Sequence, residues 1–67
     1  MGFILEDRMS DNRPNGWYAG PNKKYHDMFN LTSDKTTAYI FENETDAQNK
    51  ASYLNKGGWN FTVISAT

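Results

Sequence analysis

Cysteine is absent from the chain, which removes both a disulfide framework and any thiolate metal site. That absence suits a reducing compartment. Histidine is nearly absent too: His26 stands alone, so a bound metal would have to rely on carboxylates and amides. Residues 27–34 and 42–46 lack the dense, regular oxygen spacing of a calcium loop, and no metal or cofactor site is expected. No stretch approaches the roughly 20 apolar residues of a membrane span, and the charged and apolar regions of a signal peptide are missing. The chain reads as cytoplasmic, with no membrane partner. It also lacks an excess of positive charge, the formal net charge being -1. Lys23-Lys24 is the one adjacent basic pair, which makes nucleic acid the less favoured partner, since such modules present a basic face.

The signatures of catalysis are missing as well. His26 adjoins Asp27, and a carboxylate can orient an imidazole for general-base chemistry. Adjacent side chains rarely point together, however, and the pair sits in a polar segment. Ser10, Ser33, Ser52 and Ser65 occur in no Gly-x-Ser-x-Gly setting. Gly16 and Gly20 bracket Trp17-Tyr18-Ala19, while Gly57-Gly58 close a helix instead of opening one, so no phosphate cradle is formed. No catalytic residue is expected, and the protein is not read as an enzyme.

What the sequence does contain is aromatic material: four Phe, four Tyr and two Trp in 67 residues. A chain this short supports one domain, residues 1–67, whose core must come from a few large side chains, each ring burying about 150 to 250 Å2. Trp17 and Trp59 read first as part of that core, with the alternative that one of them rims a carbohydrate or protein groove. Three Asn-x-Ser/Thr sequons, at Asn30, Asn43 and Asn60, follow from the abundance of asparagine and not from glycosylation.

Phe3 to Leu5 reads as a short strand continued by Glu6 and Asp7, followed by the turn-rich MSDNRPNG. Trp17 to Ala19 reads as a second strand in a loose hairpin with the first, closed by Gly20-Pro21-Asn22. Lys23 to Thr36 reads as a loop anchored by Met28, Phe29 and Leu31, with some strand character. Thr36 to Phe41 is β-branched and aromatic and reads as the third strand, with Ala38 and Ile40 on one face and Thr37, Tyr39 and Phe41 on the other.

A helix follows. Asn43 is the expected N-cap with Asp46 at N3, Thr45 and Gln48 offering an alternative capping box. Glu42, Glu44 and Asp46 offset the macrodipole at that end. Ala47, Ala51 and Leu54 form the apolar stripe, while Gln48, Asn49, Ser52 and Asn55 point to water. Gly57 is assigned the left-handed position after the helix, with Lys50 and Lys56 complementing its negative end. Trp59 to Ser65 reads as the last strand, with Trp59, Phe61 and Val63 toward the helix and Asn60, Thr62 and Ile64 away from it.

These elements assemble into an α+β fold of order β-β-β-α-β: a small, mostly antiparallel sheet of three or four strands with one helix packed on one face. A right-handed crossover would make the last strand parallel to the third and place it beside the first. The opposite face would then be uncovered and would carry Tyr18, Thr37, Tyr39, Thr62 and Ile64, with Ile4 nearby. Strand propensity alone accounts for such residues; a protein interface is the next reading, and nucleobase stacking the last, for want of basic companions.

The segment MFNLTSDKTTAYIFENETDAQNKASYL, an aromatic residue followed by Thr-x-Asp, Ala-x-x-Phe and a helix opening on acidic residues and alanine, resembles small bacteriophage and prophage accessory proteins of ββ(β)αβ type. FILED and WYAG upstream resemble their leading strands. The resemblance implies a non-enzymatic binding task inside an infected bacterium, against a host or phage protein such as a defence or replication factor. FENETDAQNKASYLNKGGWNFTVI is also similar to the helix-strand half of peptidoglycan-binding SPOR domains, but the preceding half lacks their first helix. Two alternatives stand beside protein binding. One is a nucleic-acid-binding or transcription-associated module, needing Arg8, Arg13, Lys23 and Lys24 to gather around Tyr18 and Tyr39. The other is self-association, a homodimer formed through the uncovered face or an edge strand.

Overall fold

The computed structural model describes residues 2–25 and 28–66. Its elements are β1 (Phe3–Arg8), β2 (Pro14–Pro21), β3 (Phe29–Thr32), a 3-10 turn (Lys35–Thr37), α1 (Glu44–Asn55) and β4 (Phe61–Ser65). The four strands form one sheet in the order β3-β2-β1-β4. Every paired neighbour is antiparallel, and α1 packs across one face, chiefly on β4 and β1. This is the expected α+β fold, with the last strand beside the first.

Two expectations change. Because each neighbour reverses, β4 runs opposite to β3; it is the segment read as the third strand that β4 matches in sense, since Phe41 bridges Phe3 antiparallel just as β4 pairs with β1. The third strand is also not Thr36 to Phe41 but Phe29–Thr32, inside the segment read as an anchored loop. Local side-chain bonding explains the exchange: Asp34 Oδ1 accepts from the Thr36 amide at 3.0 Å and from its hydroxyl at 2.7 Å. The Thr37 amide bonds to the Asp34 carbonyl. Such bonds offer the backbone a turn in place of a ladder, and here they outweigh the β propensity of threonine.

The chain after that turn is still used by the sheet. Tyr39 donates its amide to the Tyr18 carbonyl at 2.8 Å, and Phe41 exchanges two main-chain bonds with Phe3 at 2.9 and 2.8 Å. Residues 39–41 thus wedge between the start of β1 and the end of β2. Two glycines make room. A Cβ on Gly2 would lie 2.3 Å from Ile40 Cγ2, and Gly20, at φ +100°, has the Tyr39 ring laid against it. The positive φ is one that side-chain-bearing residues rarely adopt.

The core lies between α1 and the sheet. Leu5, Tyr18, Ala47, Ala51, Leu54 and Phe61 are buried together, with Phe3, Phe29, Phe41 and Val63 packed against them. Ala47 and Ala51 carry no bulk beyond Cβ, so the helix approaches the strands closely. Asn43 caps α1 as expected, its side-chain oxygen accepting from the Asp46 amide at 2.8 Å. At the other end the positive φ belongs to Gly58, not Gly57, because the helix runs on through Lys56 in αR geometry before turning.

Asn55 was expected to face water, yet its side-chain amide pairs with the main chain of Phe61. Its oxygen accepts from the Phe61 amide at 2.8 Å, and its nitrogen donates to the Phe61 carbonyl at 3.1 Å. The side chain acts as a one-residue strand partner and fixes where β4 begins. That strand starts at Phe61, later than the Trp59 start read from the sequence.

Candidate functional site

Register decides where the expected site residues go. Tyr18 pairs with Leu31 and joins the helix-side core at 2% exposure, so it lies on the covered face, not the uncovered one. Its ring contacts those of Tyr39, Phe41, Phe29 and Phe61. Burial, and secondly the neighbouring Tyr39, push its phenol pKa up. Tyr39 is half-exposed in the wedge beside Tyr18. Thr37 is exposed on the 3-10 turn, its hydroxyl 2.7 Å from that of Thr32. Thr62 and Ile64 do sit on the face away from α1, opposite Glu6 and Ile4 of β1. The five residues are therefore divided between the two faces and a turn, and they form no common patch.

The face away from α1 is occupied by its own polar cluster. Glu6, buried, accepts from Arg8 Nε at 2.8 Å and from the Trp17 indole nitrogen at 3.2 Å. Arg8 reaches it along β1 and Trp17 from the neighbouring β2. The indole edge is thereby committed to a carboxylate. A second buried acid, Asp7 on the helix side, accepts from Asn15 and from the Asn60 amide at 3.0 and 3.3 Å.

The basic constellation needed for nucleic acid does not assemble either. Arg8 is bonded to Glu6, Arg13 is paired with exposed Asp11, and Tyr18 is buried beneath them in the fold's other layer. Lys24 stands with its Nζ 5.5 Å from the centre of the Tyr25 ring. The His26-Asp27 pair lies outside the described residues. Among the described residues no group of three or more His, Asp or Glu is arranged to hold a metal ion, and no helix is long and apolar enough to cross a membrane.

The concave surface lies where the sequence pointed least. Between β3 and the C-terminal half of α1, the helix-side face is open and forms an apolar groove floored by Phe29. One part, about 390 Å3, is lined by Met28, Phe29, Leu31 and Trp59. A second, about 330 Å3, runs past Tyr53, Lys56 and Gly57, and a third, about 220 Å3, past Pro21, Lys50 and Tyr53. Phe29 is common to all three. It is held by Trp59, edge to face at 5.0 Å between ring centres, and by Phe61 and Tyr18. Met28 at 55%, Leu31 at 40%, Trp59 at 39% and Tyr53 at 70% remain exposed around it.

The groove runs beside an edge. β3 is the outermost strand of the sheet, and among the described residues no strand lies beyond it. Sequence reasoning favoured loop anchors over a short strand for Met28, Phe29 and Leu31, and the core over a groove rim for Trp59. The available signal was their number: three large apolar residues within 28–31 exceed what pinning one loop requires. Comparison with protein-family models, curated proteins and solved structures finds no match for this chain.

Proposed function

We propose that this protein is a non-enzymatic binding module that receives a protein partner in the groove between β3 and α1. The observation that carries the reading is the contiguous exposed set Met28, Leu31, Tyr53 and Trp59 around Phe29. Scattered apolar residues on a surface are ordinary, whereas a gathered, concave set marks an interaction site. The aromatic content of the rim supports this, because Trp and Tyr supply large contact area at low conformational cost. The biological setting, a phage or prophage accessory protein acting on a bacterial defence or replication factor, rests on the sequence resemblance alone.

Capture from bacterial lysate tests the reading when the groove and the opposite face are compared. A partner retained by the wild type and by Thr62→Lys, but lost with Leu31→Lys and with Trp59→Ala, is the expected result. A partner lost with Thr62→Lys and retained by both groove variants would move the interface to the other face. Light scattering over the same concentrations separates partner binding from homodimer formation.

A further inference from the structure

We propose that the segment seated in this groove is an extended peptide that pairs with β3 and carries an acidic side chain beside its apolar anchors. The inference rests on the groove reading above and adds the conformation and charge of the partner. Extended geometry follows from the edge: Phe29 and Leu31 share the groove side of β3, and a strand added alongside would present its alternate side chains to the same side. Those side chains recur about 7 Å apart, and Phe29 lines all three parts of the groove they would enter.

Charge complementarity supplies the second element. Among the described residues the charged side chains lining the groove are Lys50 and Lys56, with no carboxylate. Among the described residues neither lysine forms an ion pair, while Arg8 and Arg13 are both paired. Lys50 is half-buried, with its Nζ 5.9 Å from the Tyr18 ring centre and 5.7 Å from that of Tyr53. The aromatic faces hold the ammonium at the groove wall, where water is partly excluded and a carboxylate is attracted more strongly than in bulk solvent. The acids of α1, Glu44 and Asp46, are in its first turn, at the end away from the groove. A peptide is favoured over a nucleic acid because an edge strand offers main-chain pairing and the overall charge is -1.

The test is selection of linear peptides from an unbiased display library, followed by affinity measurement with one enriched synthetic peptide. Enriched sequences should combine alternate apolar residues with Asp or Glu, and their binding should depend on Leu31. Lys50→Glu should weaken the peptide about tenfold, Lys50→Arg should restore binding, and circular dichroism should show all variants folded. Leu31-dependent peptides that lack acids and ignore both Lys50→Glu and Lys56→Glu would overturn this inference while leaving the groove reading intact. Absence of any Leu31-dependent peptide would overturn both. Enriched peptides matching residues 29–32 or 61–65 of this chain would replace the foreign partner with a second copy. Salt-sensitive binding of labelled single-stranded DNA, lost with Lys50→Glu, would replace the peptide with nucleic acid.

Discussion

From β4 across β1 to Tyr18 of β2 the helix-side layer is closed, whereas over β3 and the Pro21 end of β2 it is open, and residues of the same kind end in opposite states. Leu54 is buried and Leu31 exposed; Phe61 is buried and Phe29 only half so. Hydrophobicity does not distinguish the members of either pair. Dimensions do: four strands spaced about 4.8 Å apart make a sheet wider than one helix, whose diameter with side chains is about 10 Å. One helix of 12 residues therefore covers β4 and β1, aromatic rings close over Tyr18 of β2, and the edge strand β3 is left to hold the groove. The wedge at residues 39–41 fills only the far end of the gap, through Tyr39 and Phe41 against Tyr18.

If the halves differ in this way, truncation should separate them. Leu5→Ala, at a side chain with no exposed surface, should cost about 2 to 5 kcal/mol, a large part of what so small a domain has. Leu31→Ala should stay within about 1 kcal/mol and lose partner binding instead. Urea denaturation of the two variants measures the difference, and equal losses would break the comparison.

Asn55→Ala sharpens it from the closed side. Both bonds to Phe61 vanish, leaving its main-chain groups without the side-chain partner that starts β4. A loss of about 1 to 3 kcal/mol is expected, with increased amide exchange at Phe61. Asn43→Ala removes one N-cap acceptor and should cost about 1 kcal/mol, read from the same denaturation curves.

The smallest effects are those of pH. Tyr18 lies where the halves meet, and its phenol pKa is raised above the ordinary 10.0, so the protonated form is favoured in the fold. Its contribution to stability is complete below 10.0 and is lost as pH rises through the folded value. Tyr18→Phe should abolish that alkaline loss, and filling the groove should move the Tyr18 ionisation, followed by ultraviolet absorbance, still higher. Asp34 titrates in the opposite sense. Its hydrogen bonds to the Thr36 side chain and amide lower its pKa below 3.8, so its contribution is present above that value and is lost as pH falls through the folded one. Asp34→Asn should flatten this acid limb in stability measured against pH.

Much of the fold was legible. The hairpin of β1 and β2, the Asn43 cap, the Ala47, Ala51 and Leu54 stripe and the place of β4 beside β1 follow from local patterns that the structure keeps. The third strand was not legible, because Thr36 and Thr37 carry β propensity while Asp34 bends the same residues into a turn through bonds that propensity does not describe. That displacement also hid the site. With the strand assigned to Thr36 to Phe41, Tyr18 was placed on the uncovered face, whereas pairing with Leu31 of β3 puts it in the core. Asn55 was misread for a related reason: a polar residue on a helix looks solvated until the strand it clamps is known.

The central claim is that the open half of the helix-side layer is the binding surface. Amide chemical-shift mapping, with the labelled protein titrated by a peptide selected on it, tests this most directly. Shifts concentrated in residues 28–32, Tyr53 and Trp59 are the expected result. Shifts confined to Thr62, Ile64, Trp17 and Arg8, on the opposite face, would contradict it.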